Sequence, residues 1–160
     1  TSLDISQDGK HLAALGDKGI QVFNLNGKEI WSKKETDHHG VVKFSPNSKL
    51  LAVGKWGGGA GAYIYEVSNP DNIRYASPAG DRFLSGIAWS ADSNILYTAA
   101  AGTGMCPLMK WDYSSGERQH TYIEDEYESE EDADNSTCVG GGGGSLLAVI
   151  GDDEVRVYKI

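Results

Sequence analysis

The chain has 160 residues, 39% hydrophobic and 23% charged, with four Trp, eight Tyr and two Cys; this is enough for one sizeable core, not for a disulfide framework, and no apolar run nears the ~20 residues of a membrane helix. The net charge of −9 is mostly local: Glu124, Asp125, Glu126, Glu128, Glu130, Glu131, Asp132 and Asp134 supply eight of the 23 acidic residues, leaving 15 against 14 basic ones. No basic stripe follows a phosphate backbone, so neither nucleic acid nor a membrane is the expected partner.

Residues 1–6 alternate, with Leu3 and Ile5 on one face, and predict a first inner strand. After the polar turn Ser6-Gln7-Asp8-Gly9-Lys10 come a strand over 11–15, a tight connection over 16–19, and a third strand lined by Ile20, Val22 and Leu25. Asn26-Gly27 is a strong hairpin signal into an outer strand over 29–33. Trp31 on that strand is expected to pack on a neighbouring sheet. A second unit has strands over 41–45 and 50–54, then a longer Gly-rich connection over 55–61 that contains Trp56. Its third strand covers 63–67, its turn 69–72 and its outer strand 73–76. The third unit runs through Ile87-Ala88-Trp89, the turn Ser90-Ala91-Asp92-Ser93-Asn94, then 95–98, 108–113 and 118–123. The acidic tract follows. Thr137-Cys138-Val139 is a weak inner strand, Gly140 to Gly144 stands where a turn is due, and strands over 146–150 and 155–160 close the sequence.

These segments are copies of one unit. The turns at Ser6, Ser45 and Ser90 each precede an apolar strand, and taking Leu12, Leu51, Leu96 and Leu147 as equivalent gives steps of 39, 45 and 51 residues. The third strand of each unit carries an aromatic at one position: Phe23, Tyr65, Trp111 and Tyr158. All four are expected to be mostly buried. Four strands in each of three units and three in the last make fifteen.

Trp111-Asp112 is a literal W-D pair, and Ser45-Pro46-Asn47-Ser48-Lys49-Leu50-Leu51-Ala52 resembles the S-P-D-G-K-x-L-A turn and strand of the WD-repeat β-propellers. The Gly-His pair that the family places ahead of each unit is absent, and His38-His39-Gly40 lies too near Phe44 to replace it. The resemblance implies an all-β propeller with about four blades, at roughly 1–40, 41–83, 84–136 and 137–160, and an acidic insert over 124–135. Such an arc is expected to belong to a larger ring, or to need another copy to close. It also implies that the connections at 54–61, 101–107 and 124–135 emerge on one face, where family members recruit protein partners.

On that face Trp56, flanked by glycines, is either a partner anchor or a cap folded over the rim. Glu124, Asp125, Glu126, Glu128, Glu130, Glu131 and Asp132 read as a solvated insert or as a docking arm for a basic partner surface. Ser129, followed by three acidic residues, resembles a phosphorylation site for acidophilic kinases, and Asn135-Ser136-Thr137 is a sequon that matters only in a secreted chain. Asp37, His38 and His39 lack placeable partners for a tetrahedral metal site. The glycine runs lack the Lys-Ser/Thr of a phosphate loop. No catalytic residue, cofactor or metal site is assigned. The functional expectation is a non-catalytic interaction scaffold of the cytoplasm or nucleus, no signal peptide being visible. The alternatives are an accessory, substrate-gating propeller of a larger enzyme such as a peptidase, or a truncated or engineered fragment without independent function.

Overall fold

The structure, a computed structural model, describes residues 1–34, 40–55, 61–78, 83–101, 108–112, 119–124, 137–140, 146–150 and 155–159. All their regular structure is β. A first sheet holds β1 (Ser2–Ile5), β2 (His11–Gly16), β3 (Gly19–Asn24) and β4 (Glu29–Lys33). A second holds β5 (Gly40–Phe44), β6 (Leu50–Lys55), β7 (Gly61–Glu66) and β8 (Asn69–Pro78). A third holds β9 (Phe83–Trp89), β10 (Ile95–Ala101), β11 (Leu108–Asp112) and β12 (Gln119–Glu124). Among the described residues the fourth holds β13 (Thr137–Gly140), β14 (Leu146–Ile150) and β15 (Val155–Lys159). Every sheet is an antiparallel meander in sequence order.

The inner hairpins are set by one turn chemistry. Ser6 Oγ donates to Asp8 Oδ1 at 2.7 Å, which also accepts from the Lys10 amide at 3.1 Å, while the His11 amide returns to Ser6 Oγ at 2.9 Å. Ser45 with Asn47 and Ser90 with Asp92 repeat the arrangement. These side chains occupy backbone groups that the tight turn leaves unpaired. The fourth turn residue is left-handed each time: Gly9 at φ 67°, Ser48 at 59° and Ser93 at 66°.

The register makes the repeat physical. Leu12 faces Phe23, Leu51 faces Tyr65, Leu96 faces Trp111, and Leu147 faces Tyr158. Tyr65 and Trp111 are fully packed and Phe23 and Tyr158 are more covered than exposed, so all four are mostly buried as expected, though unevenly. Phe23 faces outward from the stack, and Tyr158 lies on the last of the three strands described in its sheet.

Alternation gives each sheet two apolar faces, and the sheets stack through them. Ala13, Leu15, Ile20 and Val22 meet Val42, Phe44, Leu51, Val53 and Tyr65 between the first and second sheets. Ala52, Ala62 and Ile64 meet Leu84, Ile87, Trp89, Leu96, Met109 and Trp111 between the second and third. Ala88, Tyr97 and Ala99 meet Leu147 and Tyr158 between the third and fourth. The close approach depends on small residues: a Cβ on Gly54 would lie 3.0 Å from Val41 Cγ1 and 3.1 Å from Leu84 Cβ, and one on Gly40 would overlap the Gly54 carbonyl oxygen.

The second outer strand departs from the sequence expectation. The turn lies at Val67–Ser68, and Asn69 already pairs with Glu66. The next pair is Tyr65 with Ile73, so 70–72 form a bulge where a turn was expected. Asn69 Oδ1 accepts from the Asp71 amide at 3.4 Å and Asn72 donates to Glu66 at 2.7 Å. Turn-forming residues serve equally well in a bulge on an outer strand, where Pro70 leaves no ladder bond unmade.

Candidate functional site

In a four-stranded meander, the connection between second and third strands and the exit from the fourth leave at the same end. The ends of β6 at Lys55, β10 at Ala101 and β12 at Glu124 therefore lie on one side of the second and third sheets. Lys55 is 7% exposed, and its Nζ sits 3.9 Å from the centroid of the Tyr63 ring. A buried stem and an ammonium on a ring face fix the strand end from which 56–60 depart. Trp56, Asp125, Glu126, Glu128, Ser129, Glu130, Glu131 and Asp132 lie outside the described residues, as do Asp37, His38, His39 and Cys106. Of Glu124, the backbone is placed, paired with Leu108.

At the opposite end the inner turns are joined from sheet to sheet. The Asp8 amide donates to Ser48 Oγ at 3.1 Å, and the Asn47 amide to Ser93 Oγ at 3.0 Å. The first and second turns thus each present an amide that the next turn's hydroxyl accepts. Within the turns, the Ser6 hydroxyl above all holds Asp8 below the ordinary carboxylate pKa, and Ser90 followed by the Asn94 amide does so for Asp92. Hydrogen bonds to the charged form favour it. The innermost strand adds further ties. Asp4 accepts from the Phe44 amide at 2.7 Å and from Lys43 Nζ at 3.1 Å, and Ser2 Oγ accepts from the Val42 amide at 3.2 Å.

The same end carries a groove of ≈810 Å³ between the first two sheets, with Ile30, Trp31, Leu50, Val67 and Pro70 as apolar lining and Lys49, Glu66 and His11 among its polar groups. Trp31 packs as expected from its position, 6.0 Å from the Tyr65 ring centroid, with its Nε1 donating to the Val67 carbonyl at 3.0 Å. His11 Nδ1 is buried with no hydrogen-bond partner among the described residues. Sequence reasoning missed this groove, because its walls come from segments about 20 to 40 positions apart, and only Trp31 gave a signal. The mixture of apolar lining and opposite charges suits binding. Among the described residues, no three His, Cys, Asp or Glu side chains converge as a metal site would require, and no helix is long and apolar enough to cross a membrane.

No protein-family model and no curated protein sequence matches the chain. Solved structures do. The β-propeller domain of Cps50 (Swd1) from Myceliophteria thermophila is similar at a TM-score of 0.74 and 16% identity, over 100% of this chain and 52% of that one. A chain of the mitotic checkpoint complex is similar at a TM-score of 0.75 and 18% identity, over 99% of this chain and 48% of that one. At such identities the likeness is one of fold, and the chain spans about half the length of the solved chains it matches.

Proposed function

We propose that this run of blades from a WD-repeat-type β-propeller is a non-catalytic scaffold that displays connections on one face to protein partners, in the cytoplasm or nucleus. The observation that carries the reading is the common placement of the ends of β6, β10 and β12 on one side of adjoining blades. One of the similar chains is part of the mitotic checkpoint complex, and the same use of the fold suits this chain. Trp56 serves as the apolar anchor. Glu124, Asp125, Glu126, Glu128, Glu130, Glu131 and Asp132 form an arm that attracts a basic surface on the partner.

The test begins with affinity capture by the chain with and without residues 124–134, followed by binding kinetics across a salt series. Attraction by the arm is screened over ~8 Å at physiological ionic strength, so association slows as salt rises. Replacing the carboxylates by Gln and Asn lowers the on-rate and flattens that dependence. Trp56→Ala chiefly raises the off-rate, because a desolvated anchor holds the complex after encounter. An on-rate and salt slope unchanged by neutralisation would reduce the arm to a solvated linker.

A further inference from the structure

The groove beside Trp31 lies between two four-stranded sheets, at the end of the blades opposite Lys55 and Ala101, and its charges do not cancel. The acidic groups in and around it are already engaged. Asp8 holds Lys10 at 3.6 Å, Asp71 holds Lys33 at 3.0 Å, and Glu66 accepts from Asn72 Nδ2 at 2.7 Å. Lys49 differs. It occupies in the second turn the place that Lys10 has in the first, but Asn47 stands where Asp8 supplies a carboxylate. Lys49 is exposed and has no ion pair among the described residues.

The apolar part of the groove is held in place. Trp31 is fixed by its bond to the Val67 carbonyl at 3.0 Å and by the Tyr65 ring, and Ile30, 46% exposed, extends the apolar lining. A rigid aromatic loses little freedom when a partner covers it. The volume of ≈810 Å³ is that of a ligand pocket, and Ile30, Lys49 and Ser68 are exposed along it, so a chain can enter and leave. The next junction does not repeat the combination. Arg74 pairs with Ile64 where Trp31 pairs with Val22, and Asn94 follows Ser93 where Lys49 follows Ser48.

We propose that this groove binds an extended segment of a partner protein in which a bulky apolar side chain adjoins a carboxylate. The apolar side chain covers Trp31 and Ile30, and the carboxylate supplies Lys49 with the counter-charge that Asn47 does not. An exposed ion pair is worth at most about fivefold in affinity, so apolar contact holds the segment and charge selects it. The site stands apart from the partner face proposed for the ends of β6, β10 and β12. It lies at the other end of the blades and asks for the opposite charge.

A peptide array probed with the 160-residue chain tests this, followed by titrations in which the Trp31 indole resonance is read by NMR. The probes are octapeptides with a central Leu or Phe beside Asp or Glu, the same peptides with Asn or Gln, and acidic octapeptides without the apolar residue. Only the first set is expected to shift the Trp31 resonance with a low dissociation constant, and the Asn and Gln set should bind about fivefold more weakly. Lys49→Glu should turn the preference toward octapeptides carrying Lys in place of the acid. Ile30→Ser should weaken binding roughly fivefold through lost apolar contact. Lys10→Glu should leave binding unchanged, since Lys10 is already paired. All three positions are exposed, so near-ultraviolet circular dichroism should report unchanged tryptophan packing. The proposal is overturned if no octapeptide shifts the Trp31 resonance, or if the neutral set or the acidic set without the apolar residue binds as well as the first. A loss in Lys10→Glu as large as in Lys49→Glu would overturn it too.

Discussion

A left-handed serine is an uncommon choice, because its Cβ crowds the backbone there, and Ser48 and Ser93 both adopt this conformation. Their hydroxyls explain the choice, since each accepts the amide of the turn on the preceding blade. Ser93→Ala loses that bond and keeps the backbone conformation, so it should cost about 1–2 kcal/mol in denaturant unfolding. Ser93→Gly also loses the bond but relaxes the backbone, and should cost roughly half as much. The turn carboxylates add an acid sensitivity. Asp8 and Asp92 are held below their ordinary 3.8, so the unfolded chain binds protons more readily. Their contribution is complete above 3.8 and is lost as pH falls through the lower folded values. Asn47 performs the same role without a charge. Asp8→Asn with Asp92→Asn should therefore leave neutral-pH stability little changed and flatten the loss below about pH 4, with Glu29 still contributing a share. Unfolding midpoints across that range measure it. The turns were legible in the sequence, because Ser and Asp bond two to five positions away. Their joins to the next blade span 40 and 46 positions and leave no local trace.

Between blades, the tryptophans act through both ends of the ring. Trp89 fills the junction of the second and third blades while its Nε1 donates to the Lys43 carbonyl at 3.2 Å. Trp111 lies in the same cluster and donates to Thr98 Oγ1 at 3.1 Å, in a wholly buried contact. Trp111→Ala should cost about 3–5 kcal/mol through the lost volume. Trp111→Phe retains much of that volume but strands the Thr98 hydroxyl, for about 1–3 kcal/mol. Adding Thr98→Val should recover part of the Phe penalty, and a double-mutant unfolding cycle would measure the coupling. The aromatic column could be read from sequence because one position per unit recurs on every third strand. Its uneven burial could not, since it depends on which blades have neighbours. The bulge at 70–72 was read as a turn for a related reason: Asn, Pro and Asp announce a bend without saying which ladder bonds flank it. The groove beside Trp31 needed two blades in place before it existed.

Across the whole molecule, three interior junctions of one design hold blades that individually expose two apolar faces. The repeat made this architecture legible, whereas the face proposed for partners rests on segments with no periodic signal at all. The joins between turns are also directional. The Asp8 amide should be protected from hydrogen exchange in the parent chain and lose that protection in Ser48→Gly, while the Asn47 amide, which depends on Ser93, should keep its own. An unchanged Asp8 rate would show that the join contributes nothing to protection. Direction matters most while the chain is being made. The first two turns leave the ribosome carrying an amide whose acceptor has not yet been translated, and the next blade to emerge brings the hydroxyl that meets it. Construction there runs with the message: the second blade completes the turn of the first, and the third completes the turn of the second.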